Sequence, residues 1–163
     1  MKYKAPPEIN IPYLIAIASF TIILPALSTI VEYLVKMHLP LSLSVPGKWF
    51  IFWAVGARSF IDGGRQVISP GFTADEIFHI FNPKSRAIIR ELGIANICAG
   101  IVGLLSLFLP SWRIVSAFAS GLFCGLVAIL RAFTKPAGIN DWIALISDVF
   151  VFICLACYVI FSF

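Results

Sequence analysis

Three charged side chains stand close together in an apolar stretch of the sequence. Arg58, Asp62 and Arg65 are spaced i, i+4 and i+7, which at about 100° per residue places them on one stripe of a helix. Asp62 is within reach of both arginines, and Gln66 extends the polar surface. Because a guanidinium donates several hydrogen bonds and stays charged, the stripe is suited to bind a lipid headgroup, a carboxylate or a quinone carbonyl.

Two acidic residues elsewhere are candidate partners of this stripe. Glu91 begins the third apolar run, on the same membrane side as Arg65, and Asp148 lies in the fifth run. The set forms either a ligand-binding site or a buried salt-bridge network in which Arg65 reaches the headgroups. The sequence leaves both interpretations open. In either case, Asp62→Ala is expected to destabilise the fold because it strands two arginines.

No motif of catalysis or metal binding accompanies these residues. The sequence has no Walker loop and no G-x-G-x-x-G, G-x-S-x-G or H-E-x-x-H pattern. His38 and His79 lack a second His at helical spacing, so we expect no metal site. Cys154 and Cys157 form a C-x-x-C whose apolar neighbours do not stabilise a thiolate, which predicts a packing role. The sequence therefore favours a non-enzymatic protein.

Composition indicates the medium in which this chain folds. The 163 residues are 60% hydrophobic and 12% charged, whereas soluble domains carry about 25% charged residues. A soluble domain of this size could not bury so much apolar surface in one core, but a bilayer accommodates it. The net charge of +4 includes no Lys/Arg run, which argues against nucleic-acid binding. We expect a multi-pass protein of the cell membrane, in direct contact with the lipid bilayer.

The apolar runs predict an all-α membrane bundle of five transmembrane helices in a single domain. About 20 apolar residues are needed to span a bilayer, and continuous runs favour helices over strands. The predicted spans cover residues 11–36, 48–68, 85–109, 114–133 and 141–163, with a short interfacial helix at about 74–81. Pro25 is expected to kink the first span, and Pro40 and Pro46 argue against a continuous helix through the linker at residues 37–47.

Lysine and arginine placement predicts a cytoplasmic N-terminus. One side of the predicted bundle carries eight of these residues, namely Lys2, Lys4, Arg65, Lys84, Arg86, Arg90, Arg131 and Lys135. The other side carries three, namely Lys36, Lys48 and Arg113. Cytoplasmic loops are enriched in positive residues, so the C-terminus is predicted to lie on the far side.

Small residues recur at fourfold spacing in two neighbouring spans. The third span has one such face and the fourth another: Ala95, Ala99 and Gly103, then Ala117, Gly121 and Gly125. Faces of this kind let membrane helices approach closely. Since a short turn joins these spans, the pattern predicts that their small faces pack together as an antiparallel hairpin.

About half of the chain, from Gly47 to about Arg131, resembles a family of small bacterial membrane proteins of unknown function. The resembling stretches are GKWFIFWAVGARSFIDGGRQVISPGFTADEIF and RELGIANICAGIVGLLSLF. The chain also resembles DoxX-like bundles, which usually have four spans. The shared pattern is an Arg and a Gly in one span and Glu-Leu-Gly at the start of the next. The DoxX resemblance implies a link to quinol oxidation.

Three functional hypotheses follow. The leading one is a non-enzymatic module that binds a lipid, a small molecule, a membrane-protein partner or a second copy of itself through the second and third helices. It requires no cofactor. The alternative is a quinone-linked subunit of a membrane redox enzyme, in which the arginine stripe holds the quinone head. The third is a small transporter, although no inverted repeat or broken helix pair is visible.

Overall fold

Five helices make up most of the chain. The computed structural model describes residues 9–36, 42–77, 80–134, 136 and 138–162. The helices are α1 (Ile11–Val35), α2 (residues 44–68), α3 (Ser85–Leu105), α4 (Ser111–Thr134) and α5 (Ile139–Ile160), and the described residues contain no strand. Four of them, α1, α3, α4 and α5, are long and apolar enough to cross a membrane. The chain is therefore an all-helical, multi-pass membrane protein.

Two helix boundaries differ from the prediction for identifiable reasons. α2 begins at Ser44, four residues earlier than predicted, while Ser42 and Leu43 before it are not helical, so no continuous helix joins α1 to α2. Pro46 lies in the first turn of α2, where backbone N–H groups have no carbonyl partner within the helix. The lack of an N–H on proline therefore removes no helical hydrogen bond. α3 ends at Leu105 rather than near 109. The Arg113 guanidinium donates to the carbonyl oxygens of Ser106 and Leu107 (3.0 and 3.3 Å), which satisfies groups freed at the helix end.

Proline within α1 is accommodated by a local change of helix type. Pro25 has no N–H to donate, and the segment just before it, Ser19–Ile23, is π-helical. Two hydroxyls bond to backbone carbonyls within the same helix: Thr21 donates to Ile17 (2.6 Å) and Thr29 donates to Pro25 (2.8 Å). Every polar group of α1 that faces lipid needs such an internal partner.

The helix in the connector between α2 and α3 begins earlier than predicted. A helix was expected over residues 74–81, whereas residues 71–77 are helical, with Thr73–Ile77 in π-helical form, and Ile80 and Phe81 lie outside any helix. Residues 78 and 79 lie outside the described part of the chain. So do residues 1–8, 135 and 163, which bear on the predicted orientation and on the end of the fifth span.

α2 occupies the centre of the bundle. It packs against α1, α3, α4 and α5. Ile51 and Val55 of α2 join Val151 and Leu155 of α5 in a fully buried apolar core, together with Ala117 of α4. Because α2 carries the most charge of the five helices, its central position turns that charge toward other helices rather than toward lipid.

Glycines set the closest helix contacts, and they do not lie where the sequence pattern placed them. A Cβ on Gly103 of α3 would lie 2.7 Å from Gly56 Cα of α2. A Cβ on Gly125 of α4 would lie 2.8 Å from Phe152 of α5. α3 and α4 contact each other, as the predicted hairpin requires, but their glycines do not make this contact: those of α3 pack on α2, and those of α4 pack on α5. Glycine is needed at these positions because two helix backbones can come this close only where the Cβ is missing.

An ionic cluster joins α1 to α2 at the end of the bundle opposite the N-terminus. The Lys48 ammonium lies 2.6 Å from Glu32 Oε2, and the Trp49 indole N–H donates to the same oxygen at 2.6 Å. Lys36 reaches Glu32 at 3.1 Å, but its own side chain is 60% exposed. The contact that joins the two helices is therefore the one among Glu32, Lys48 and Trp49.

We expect Glu32→Ala to lower the free energy of unfolding by about 1.5–3 kcal/mol, because it leaves a mostly buried ammonium and an indole N–H without their acceptor. Denaturation in mixed detergent micelles measures this, and Trp49 emission should shift to longer wavelength. The matched control is Lys36→Ala, which removes an exposed partner and should cost less than about 1 kcal/mol. Equal losses in both variants would contradict the assignment.

Candidate functional site

A cavity of about 470 Å³ lies inside the bundle, in the half nearer the start of α1. All five helices and the connector contribute to its wall. Val55 and Val151, from the apolar core, border it on one side, and Phe72 and Thr73 of the connector border it on the other. Its volume is typical of pockets that bind small molecules.

Arg58 is the charged group that penetrates furthest into this cavity. It lies ten residues before the end of α2, or about 15 Å along the helix axis. A π-helical segment, Ile51–Ala57, immediately precedes it, and such segments often occur at functional sites. The guanidinium lies 3.6 Å from Asp62 and 3.9 Å from Asp148, and it donates to Ser147 Oγ at 3.0 Å.

A second arginine extends the network to the start of α5. Arg131 of α4 lies 3.6 Å from Asp148 Oδ2 and 3.2 Å from Asp141 Oδ1. Asp148 thus lies between Arg58 and Arg131, and all three side chains are 14–16% exposed. The two arginines and three aspartates link α2, α4 and α5 by a continuous set of ion pairs. Desolvated charges of this kind persist only when paired.

Arg65 is placed differently from the other two arginines. Its side chain is exposed at the edge of the cavity, and its guanidinium lies 4.9 Å from the centre of the Phe72 ring. That ring in turn lies 5.5 Å from the ring of Tyr13. Within the described chain, Arg65 makes no ion pair, since no carboxylate lies within 4.0 Å of it. Its charge is held by an aromatic face and is open to a ligand.

Two amides add neutral polarity to the wall. Asn96 Nδ2 donates to Gln66 Oε1 at 2.8 Å, which joins α3 to α2. The bond uses one donor of Asn96 and one acceptor of Gln66 and leaves the Asn96 oxygen and the Gln66 amide hydrogens for another partner. Both side chains line the cavity. The pair therefore offers a ligand a donor and an acceptor side by side.

Of the six residues selected from the sequence, five line the cavity: Arg58, Asp62, Arg65, Gln66 and Asp148. Glu91 does not. It is exposed on α3 and makes no ion pair among the described residues, so the structure does not bring it to Arg65. Sequence reasoning missed Arg131, Asp141, Asn96 and Tyr13. The first two had a usable signal: Asp141 and Asp148 stand at i and i+7 on α5, and Arg131 precedes them across a short loop.

The cavity wall supplies charged and hydrogen-bonding side chains. No group of three His, Cys, Asp or Glu residues able to hold a metal occurs in the described ranges. Cys124 also lines the cavity and is a free thiol. Comparison with protein-family models, with curated proteins and with solved structures finds no match to this chain. Functional inference therefore rests on the geometry of the cavity.

Proposed function

We propose that this chain is a non-enzymatic membrane module that binds a lipid or small molecule with an anionic or carbonyl-bearing head in the cavity between its helices. The observation that carries the proposal is Arg65, a guanidinium at the edge of a 470 Å³ intramembrane cavity with no carboxylate within 4.0 Å in the described chain. An exposed guanidinium that makes no ion pair in the described chain can bind an anionic or hydrogen-bonding ligand head.

The same proposal includes five spans in the cell membrane with a cytoplasmic N-terminus. α2 runs antiparallel to α3 in close contact, from Gly56 beside Gly103 to Gly63 beside Gly93. If α3 crosses the bilayer, α2 crosses the same depth, because the contact extends along both helices. Its interior position supports its charges at that depth. The excess of Lys and Arg at the end where α1 begins supports a cytoplasmic location for that end.

The test is chemical analysis of what the purified protein retains. Protein isolated in mild detergent is extracted with organic solvent, and the extract is analysed by mass spectrometry. We expect a defined molecule near one per chain, reduced about tenfold in Arg65→Gln, since a hydrogen bond to a charged group contributes about 1.5–3 kcal/mol. The matched control is Arg90→Gln, an exposed arginine near the same end that does not line the cavity.

Equal content in the unmodified protein and in Arg65→Gln would overturn the proposal and leave the charged set as a structural network. The quinone-linked alternative shares the cavity and is distinguished by the same extract, because a quinone has a characteristic mass and absorbance. A transporter would need a polar path to both surfaces. The apolar core of Ile51, Val55 and Leu155 closes the inner side of the cavity, which supports the binding module instead.

A further inference from the structure

We infer that the ligand is a long-chain fatty-acid anion that enters sideways from the bilayer between α3 and α4, with its carboxylate at Arg65. This inference rests on the proposed function and assigns the ligand class and the route. Three features support it: the path left open between helices, the location of uncompensated charge, and the surface that continues from the cavity to the lipid.

The boundary between the two close helix pairs is open beside the cavity. The glycines of α3 face α2, and those of α4 face α5, so no glycine brings α3 and α4 together. Alanines occupy the boundary instead: Ala95 and Ala99 on α3, and Ala119 on α4, line the cavity and are exposed. The opening between α3 and α4, which we call the lateral cleft, therefore connects the cavity with the outside of the bundle.

The ends of the cavity are more closed than this side. Toward the middle of the bundle, Val55 and Val151 are 2% and 1% exposed and belong to the apolar core. At the other end, the connector covers the cavity with Phe72 and Thr73, and Ala74 beneath them is fully buried. Entry through the lateral cleft requires neither element to move.

The lateral cleft continues into lipid-facing apolar surface. On α3, Ala95 and Ala99 lie beside the exposed Ile94 and Ile101. On α4, the exposed Phe123 lines the cavity next to an outward stripe formed by Phe118, Leu122, Leu126 and Ile129. An acyl chain can thus pass from the bilayer into the cavity without leaving apolar surroundings.

Charge directs the head of this ligand to Arg65 and not to Arg58. The deep network already places carboxylates against both of its arginines, with Asp62 and Asp148 beside Arg58 and with Asp141 and Asp148 beside Arg131. An incoming anion must therefore compete with aspartates for these guanidinium groups. Arg65 lies three residues before the end of α2, near headgroup depth, and makes no ion pair in the described part of the chain. A single guanidinium suits a single carboxylate, which it binds with two parallel hydrogen bonds.

The experiment uses the full chain in nanodiscs of neutral phosphatidylcholine and a photoactivatable palmitic acid with a diazirine in its chain. We expect saturable labelling on α3 and α4 beside the lateral cleft, competed by unlabelled palmitate. The matching diazirine alcohol, which lacks the carboxylate, should label at least about tenfold less. This pair of probes needs no variant. Equal labelling by acid and alcohol, or labelling spread evenly over the outer faces of α1 and α5, would refute the inference.

Variants then separate the route from the head site. Ala99→Phe fills the lateral cleft, and Ala26→Phe adds the same ring to an exposed position of α1 that lines no cavity. We expect labelling to fall only in Ala99→Phe, and the same labelling in both would exclude the lateral route.

Competition separates the ligand class from the proposed function. If acetate competes as well as palmitate, the ligand is a water-soluble carboxylate, and the assignment of a long-chain fatty acid is wrong while the proposed binding function stands. If neither competes and solvent extracts contain no retained molecule, the proposed function fails as well.

Discussion

Arg58→Ala is expected to lower the free energy of unfolding by about 3–5 kcal/mol, the usual cost of removing one member of a buried charge set. The variant leaves Asp148 with a single partner, Arg131, and removes the donor to Ser147 Oγ. Asp62 retains no ion pair in the described chain. Denaturant titration in mixed micelles, followed by tryptophan emission, measures the loss. Arg90→Ala is the matched control, since Arg90 is exposed and outside the cavity, and it should change stability by less than about 1 kcal/mol.

A double variant tests whether this loss reflects stranded charge. Arg58→Met combined with Asp148→Leu replaces one ion pair by apolar side chains of similar size, and Arg131 keeps Asp141 as its partner. We expect the double variant to be more stable than Arg58→Ala, because apolar replacement of a buried pair is often neutral. If it is no better than the single variant, the loss comes from packing around Arg58 and not from charge.

Asp62 has a smaller role than the sequence suggested. The i, i+4, i+7 spacing placed it between two arginines, but it pairs only with Arg58, and its side chain is 36% exposed. Arg65 instead lies over Phe72. We therefore expect Asp62→Ala to cost about 1 kcal/mol, well below Arg58→Ala, as the same titration will show. A larger loss would restore the original expectation that Asp62 serves both arginines.

Helical periodicity was sufficient to place Arg58, Asp62, Arg65 and Gln66 on one surface, because that relation lies within one helix. It could not show which helices face that surface. From the sequence, Arg131 counted only among the positive residues of the predicted cytoplasmic side, and only the packing of α4 against α5 brings it to Asp141 and Asp148. Contacts between helices depend on the shape of both partners, and a single sequence specifies that shape weakly.

Small residues illustrate the same limit within α3. The helix carries two overlapping patterns, an alanine face with Ala95 and Ala99 and a glycine face with Gly93 and Gly100. The spacing of small residues alone does not show which face makes the close helix contact. In the structure the glycine face packs on α2, because two backbones approach most closely where the Cβ is absent on both sides. The alanine face is left to line the cavity.

Two adjacent glycines of α2 give the sharpest test of this packing. Gly63→Ala is expected to lower the free energy of unfolding by about 1–3 kcal/mol, because its Cβ would lie 2.5 Å from the Gly93 carbonyl oxygen and 2.8 Å from the Ile97 nitrogen. Both atoms are backbone, so relief requires α2 and α3 to separate. That movement displaces Gln66 from Asn96, whose amides are now 2.8 Å apart, and it should weaken ligand retention together with stability.

Gly64→Ala is the control that the chain itself provides. A Cβ on Gly64 meets no atom within 4 Å, and alanine is favoured over glycine in a helix interior by about 1 kcal/mol. We expect unchanged or increased stability, with ligand retention intact, when both variants are titrated in parallel. A loss of the same size in both would mean that α2 needs glycine for its own backbone conformation. A loss confined to Gly63→Ala locates the requirement at the contact with α3, since the two residues share the same helix, depth and side-chain change.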